Sequence, residues 1–167
     1  MGEILDRAFK ALKTLPEAER ERIAWEIIER VEDKTEWDRI IATPEAQAWL
    51  ASAAKKALKE YTKIANNLSM KFVSLGLDNL LREGTYWETF DDLPDDVRKL
   101  AQKNYGLWKD NPDAPGLRFK RIHPDVPVMS FRVGMKHRTV GVETPDGKVA
   151  WFWVGSFDTF TQQISRP

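Results

Sequence analysis

The apolar positions change their period once along the chain. In the first part they recur every three or four residues. Ile4, Leu5, Ala8, Phe9 and Leu12 predict an amphipathic helix over 3–15. Pro16, followed by Glu17 and Glu19, opens a second helix, because proline suits a first turn and acids there meet the positive end of the helix dipole. Its stripe is Ile23, Ala24, Ile27, Ile28 and Val31, and 32–39 is predicted as a charged connector carrying Trp37. Thr43-Pro44-Glu45 is a strong start signal, a capping residue before a helix-initiating proline. The stripe that follows runs from Trp49 through Leu50, Ala53, Ala54, Ala57, Leu58, Tyr61 and Ile64 to Leu68, with small residues at its centre. Nothing in 1–69 predicts a strand.

From Met70 the pattern shortens and turns β-like. Residues 71–75 predict a strand, 76–84 a turn-rich connection and 85–90 a short helix. Leu93-Pro94 starts another helix, with Val97, Leu100, Ala101, Tyr105 and Trp108 as its inner face, and the prolines at 112 and 115 end it. Three β-rich runs come next, at 117–123, 128–142 and 148–155, with His137 at a turn between strands, beside Arg138, inside the middle run. The first two runs are interrupted by cations. The third has no polar side chain from Val149 to Val154, the pattern of a strand buried on both faces. Pro145-Asp146-Gly147 is a turn between the last two runs, and Ser156 caps a terminal helix to Ile164. The expected fold class is α+β: an all-α segment of about three helices at 1–69, then a compact β-α-α-β-β-β-α domain with a small, mostly antiparallel sheet at 70–167. Met70 is either an internal start at which two reading frames were joined or an ordinary apolar residue at a strand entrance.

Composition sharpens this picture in two places. There are no cysteines and only two histidines, His123 and His137. Disulfides, thiolate chemistry and multi-histidine metal sites are therefore excluded, and neither metal nor cofactor is expected. The 26 basic and 26 acidic side chains cancel in total but not locally. From Arg98 to Arg138 ten cations stand against three acids, whereas from Asp78 to Asp96 seven acids stand against Arg82. A cationic block of this kind suits a polyanion. No leader pattern opens the chain and no apolar run approaches the ~20 residues of a membrane span, so a cytoplasmic protein without membrane contact is expected.

Candidate chemistry lies on the cationic strands. Alternation predicts Arg118 and Lys120 on one face against Leu117 and Phe119, and Ser130 and Arg132 on one face against Phe131 and Val133. Arg138, at the head of the next strand, is placed to join them. Arginine's planar fork donates two parallel bonds to a phosphate. His137 beside it suits proton transfer near neutral pH, or is an exposed turn residue. His123 is a strand-end residue without a role, and Trp151 and Trp153 belong to the core. The residues alone give a polyanion-binding sheet, or the solvated face of an ordinary one. No phosphate-cradling glycine loop, carboxylate pair or nucleophile triad is present.

The runs W-E-T-F-D-D-L-P-D-D-V-R-K-L-A-Q-K-N-Y-G-L-W-K-D-N-P, L-R-F-K-R-I-H, S-F-R-V-G-M-K-H-R-T-V-G-V and W-F-W-V-G-S together resemble the RelE/ParE superfamily of bacterial toxins, most closely its RelE/HigB-like branch, over about 70–164. The run R-I-A-W-E-I-I-E-R-V-E-D-K-T-E-W-D-R-I-I-A-T-P-E-A-Q-A-W-L resembles the small helical antitoxins that precede such toxins. The resemblance implies an antitoxin–toxin fusion. It implies an endoribonuclease that cleaves mRNA on the ribosome by attack of a 2′-hydroxyl on the adjacent phosphate, and so represses translation. Arg138, in H-R-T-V, matches the family arginine that stabilises the transition state. Arg132 matches a basic residue on the preceding strand, and His137 is a candidate proton-transfer group. Arg118, Lys120, Arg121 and Lys136 would contact RNA phosphates. Relatives commonly end the last strand in G-S-H. Here the sequence is Gly155-Ser156-Phe157, and phenylalanine transfers no proton; Asp158 is a weaker substitute. The stripe of Trp49, Ala53, Ala57, Tyr61 and Ile64 would be the antitoxin's docking surface, acting in cis or in trans, or else pack within a three-helix bundle. The segment carries no recognition helix for operator DNA. A ParE-like action on DNA gyrase without catalysis, an inert binding module, and homo-oligomers are the alternatives the sequence leaves open.

Overall fold

The computed structural model describes residues 2–67, 84–114 and 116–166. The predicted strand at 71–75, the turn after it and the expected break at Met70 lie outside these residues. The described chain is α+β, with helices α1 (Glu3–Lys13), α2 (Glu17–Ile41), α3 (Pro44–Asn67), α4 (Gly84–Asp91) and α5 (Asp95–Asp110). Strands β1 (Lys120–Arg121), β2 (Val128–Gly134), β3 (His137–Glu143) and β4 (Val149–Ser156) follow, and α6 (Phe157–Ile164) closes it. By packing the chain divides into two units, Met1–Glu36 and Trp37–Pro167.

The predicted connector at 32–39 is helical, and α2 runs through it without a break. The segment holds no glycine or proline, and its Glu, Lys and Arg residues are good helix formers. Its end also has something to bury: Trp37 and Ile41 enter the core of the second unit. Thr43 then separates α2 from α3. Its hydroxyl donates to the Ile40 carbonyl (2.9 Å) and accepts from the Ala46 N–H (3.3 Å), which satisfies one of the otherwise unpaired donors of a helix start.

The sheet is antiparallel in the order β1-β2-β3-β4. The middle β-rich run folds back at Met135-Lys136 into two strands, and Lys136 takes a left-handed backbone (φ 56°) to close the turn. His137 therefore lies within β3 rather than in the turn, and Arg138 stands at the head of that strand, as expected. The first run yields a strand of only two residues, because Arg118 is itself left-handed (φ 49°) and breaks the alternation. Strand β4 is buried from Val149 to Gly155, in accord with its apolar run. The register shifts between Val140 and Gly141. Neighbouring residues of a strand normally face opposite ways, yet beyond this shift Phe152 and Trp153 belong to one core cluster.

Two helical layers cover the sheet, as two-sided burial of β4 requires. On one face the end of α2, helix α3 and helix α6 meet Val128, Val140, Val142 and Trp153. On the other, α4 and α5 meet Phe131, Val133, Trp151 and Val154. Of the predicted inner face of α5, Val97, Ala101 and Tyr105 are buried and Trp108 is partly buried, but Leu100 is exposed beside Gly134. Helix α3 thus belongs with the sheet in the second unit. In the first unit, no residue of α1 is buried. Among the described residues no helix is long and apolar enough to cross a membrane.

Candidate functional site

The β2–β3 hairpin fixes the site. Arg132 pairs with Arg138 across the two strands, Ser130 with Val140, and Lys120 with Ser130. Directly opposed residues share a face, so Lys120, Arg132 and Arg138 lie on one side of the sheet, as alternation predicts. The backbone of Arg132 is held at both ends. Its N–H donates to the Leu117 carbonyl (2.6 Å), and its carbonyl accepts from the Asn104 side chain (3.1 Å).

This face is closed over Arg138 and partly open at Lys120. It is the side covered by the end of α2, by α3 and by α6, and Arg138 is only 3% exposed. Its Nη1 donates to the His137 carbonyl at 2.9 Å, with the Gly134 carbonyl at 3.5 Å. Its guanidinium carbon lies 5.0 Å from the centre of the Phe157 ring and 5.8 Å from that of Trp37. The two rings stack on each other at 5.3 Å and 18°. Aromatic faces attract a guanidinium, more strongly where water is excluded. Next to Trp37, Asp38 accepts from the Lys120 ammonium. One turn of α2 thereby covers two of the cations that the sequence marks for phosphate.

The remaining predicted residues are placed differently. Strand alternation turns His137 away from the face that holds Arg138. Its Nδ1 lies 2.9 Å from the Met135 carbonyl; a carbonyl only accepts, so Nδ1 is the donor. Arg132 donates from Nη2 to the Met135 sulfur at 2.7 Å. Lys136 is exposed at the hairpin turn, and its carbonyl accepts from the Phe157 N–H at 3.0 Å. Arg118 sits at the left-handed residue before β1 and is not placed on the sheet face by strand alternation. Arg121 ties the following loop, donating to the carbonyls of His123 (2.9 Å) and Pro124 (3.1 Å). His123 has a role the sequence does not reveal: its Nδ1 accepts from the N–H groups of Asp125 and Val126, both at 3.1 Å, and so orders that loop. Asp158 is exposed in the first turn of α6. Among the described residues no cluster of His, Asp and Glu is placed to hold a metal ion.

The predicted docking stripe does meet the sheet. Trp49 packs edge-on against Phe160 at 5.4 Å and lies 6.1 Å from Phe152. Ala53 and Ala57 belong to the same core. The Tyr61 hydroxyl donates to Asp146 at 2.9 Å, which ties α3 to the β3–β4 turn. Burial raises the Tyr61 phenol above its ordinary value, with Asp146 adding to the effect. Bonds from the hydroxyl of Thr144 and then that of Tyr61 hold the Asp146 carboxyl below its own. The side chain of Ile64 lies outside those described.

Sequence reasoning did not place Trp37 and Asp38 at this face. The available signal was the i, i+4 spacing of Trp37 and Ile41 in a segment free of glycine and proline. A groove of about 580 Å³ opens beside them, lined by Asp38, Gln47, Lys120, Arg121 and His123. No family model, curated protein or solved structure matches the chain.

Proposed function

We propose that the chain is a fused toxin–antitoxin protein. Its C-terminal part is a RelE-like endoribonuclease that represses translation by cutting mRNA on the ribosome, and its helical N-terminal part holds it inhibited. One observation carries this reading: the turn of α2 that bears Trp37 and Asp38 occupies Arg138 and Lys120, the cations suited to a scissile phosphate. Once uncovered, Arg138 and Arg132 from paired strands would brace the phosphate as its charge grows. Such electrostatic stabilisation is commonly the largest contribution to a transition state. The role places the protein in the cytoplasm, with ribosome-bound mRNA as its target and residues 1–69 as its inhibitor.

A non-catalytic reading, by action on gyrase or as a binding module, is favoured by a different observation. The position after Ser156 is a buried phenylalanine, and His137 points away from Arg138, so neither supplies a proton-transfer group to the arginine face. One experiment separates the readings. Residues 70–167 are expressed alone, with residues 1–69 supplied from a second promoter, and growth, transcript cleavage on ribosomes and gyrase supercoiling are followed. The nuclease reading expects growth arrest with cut transcripts, loss of both on Arg138→Ala, and rescue by residues 1–69. Arrest with intact transcripts would refute it, and inhibited supercoiling would then identify the gyrase reading.

A further inference from the structure

Helix α1 is eleven residues long and buries none of them. A helix this short is marginal in water by itself and needs tertiary packing to persist. It has a face made for packing. Ile4, Leu5, Ala8, Phe9 and Leu12 fall within an arc of about 140° at 100° per residue. Ile4 is 83% exposed, and Leu5 and Phe9 are about half exposed. In the same unit, Trp25, Ile27, Ile28 and Val31 of α2 are exposed as well. Taking ~150–250 Å² for a fully exposed side chain of this size, the seven large residues leave on the order of 700 Å² of apolar surface in water. That is close to the ~800 Å² that each partner buries in a standard interface.

The charges on α1 identify the occupant. Glu3 and Asp6 lie in its first turn, Lys10 and Lys13 in its last. Asp6 and Lys13 also flank the apolar arc on the same side. Two such helices laid antiparallel about a two-fold axis bring each Asp6 alongside Lys13 of the other, with the axis between Phe9 and Lys10 and Ala8 within one turn of it, where a small side chain permits close approach. The opposed helix dipoles agree with this order. An anionic membrane surface would instead be matched by cations spread along the polar face, and here Glu3 and Asp6 interrupt Arg7, Lys10 and Lys13. We propose that the Met1–Glu36 unit pairs with the same unit of a second copy, through antiparallel α1 helices, to make a homodimer. This inference does not depend on the toxin reading.

The test is the mass of the full chain by sedimentation over a range of concentrations. The parent is expected to be dimeric, and Phe9→Glu monomeric. Asp6→Lys and Lys13→Glu should each weaken the dimer about five- to tenfold, since each sets like charges against each other twice. A one-to-one mixture of these two variants should regain the parent's dimer strength, because each mixed pair then places a cation opposite an acid at both contacts. All of these positions are exposed, so folding is expected to survive, and circular dichroism checks that it does. A monomeric parent, a Phe9→Glu dimer as strong as the parent's, or a mixture no stronger than its components would overturn the proposal. So would a monomeric parent that co-sediments with vesicles of anionic phospholipid.

Discussion

Replacing Trp37 with alanine removes the side chain that joins the end of α2 to the sheet face. Trp37 is 1% exposed, stacks on Phe157 at 5.3 Å, meets Phe160 edge-on at 5.1 Å and lies over Arg138. A tryptophan of ~200–250 Å² transferred from water at ~25 cal/mol per Å² gains about 5–6 kcal/mol. The methyl that alanine retains reduces the loss. So does release of the indole N–H, which is buried without a partner and costs about 1 kcal/mol or more. The expected net loss is ~3–5 kcal/mol, in the range of buried aromatic deletions. Against a typical domain stability of ~5–15 kcal/mol this is a large share, and the melting temperature should fall on the order of 10 °C. Trp37→Phe keeps the stacking and sheds the unpartnered N–H, so it should lose about 1–2 kcal/mol. Asp38→Asn should lose less than ~1 kcal/mol, because the ion pair with Lys120 is about 40% exposed on both sides. Urea unfolding of the full chain reads all three. A second readout is modification of Arg138 by an arginine-selective dicarbonyl, located by mass spectrometry. It should be slow in the parent and faster in Trp37→Ala under conditions where the variant remains folded. If Trp37→Ala stays within ~1 kcal/mol of the parent and Arg138 is no more reactive, then Trp37 does not hold the cover, and the inhibitory role assigned to this turn fails with it.

Two further outcomes follow from the fold. A β-carbon at Gly141 would stand 2.7 Å from Trp151, 2.8 Å from Val149 and 2.9 Å from the Ala150 carbonyl. Gly141→Ala should therefore lose about 1–3 kcal/mol through overpacking, seen as a lower urea midpoint with an unchanged slope. The Tyr61–Asp146 bond should give stability two pH limits. The Asp146 pKa is lowered in the fold, so its contribution is complete above the ordinary value of 3.8 and is lost as pH falls through the lowered folded value. The Tyr61 pKa is raised, so its contribution is complete below the ordinary value of 10.0 and is lost as pH rises through the higher folded value. Asp146→Asn should remove the acid limit and Tyr61→Phe the alkaline one in stability measured against pH. A Tyr61→Phe variant with an unchanged alkaline limb would show that this bond is not the source.

The parts of the site that were legible in the sequence are those that depend on local spacing. Alternation, with strands paired in chain order, put Lys120 and Arg132 on one face with Arg138 placed to join them, and β4 was known to be buried on both sides by its run of apolar residues. Arg118 was misjudged because one left-handed residue ends the alternation, and no periodic pattern records a positive φ. His137 was paired with Arg138 because they are neighbours in sequence; in a strand, neighbours point apart.

What the sequence by itself determined is the set of segments and their faces. The i, i+3, i+4 stripes made the helices, Pro16 and Pro44 started two of them, and two-residue alternation made the strands. These choices rest on interactions between residues a few positions apart. Only the tertiary structure decided that Arg138 of the cationic face lies inside. Arg138 stands about a hundred residues from the tryptophan that covers it. A buried guanidinium is tolerated where acceptors, opposite charges or aromatic faces surround it, and the carbonyls of Gly134 and His137 and the rings of Trp37 and Phe157 come from β2, β3, α2 and α6. Periodicity could mark Arg138 as a cation on a sheet; the packing of α2 determined that it faces a tryptophan instead of water.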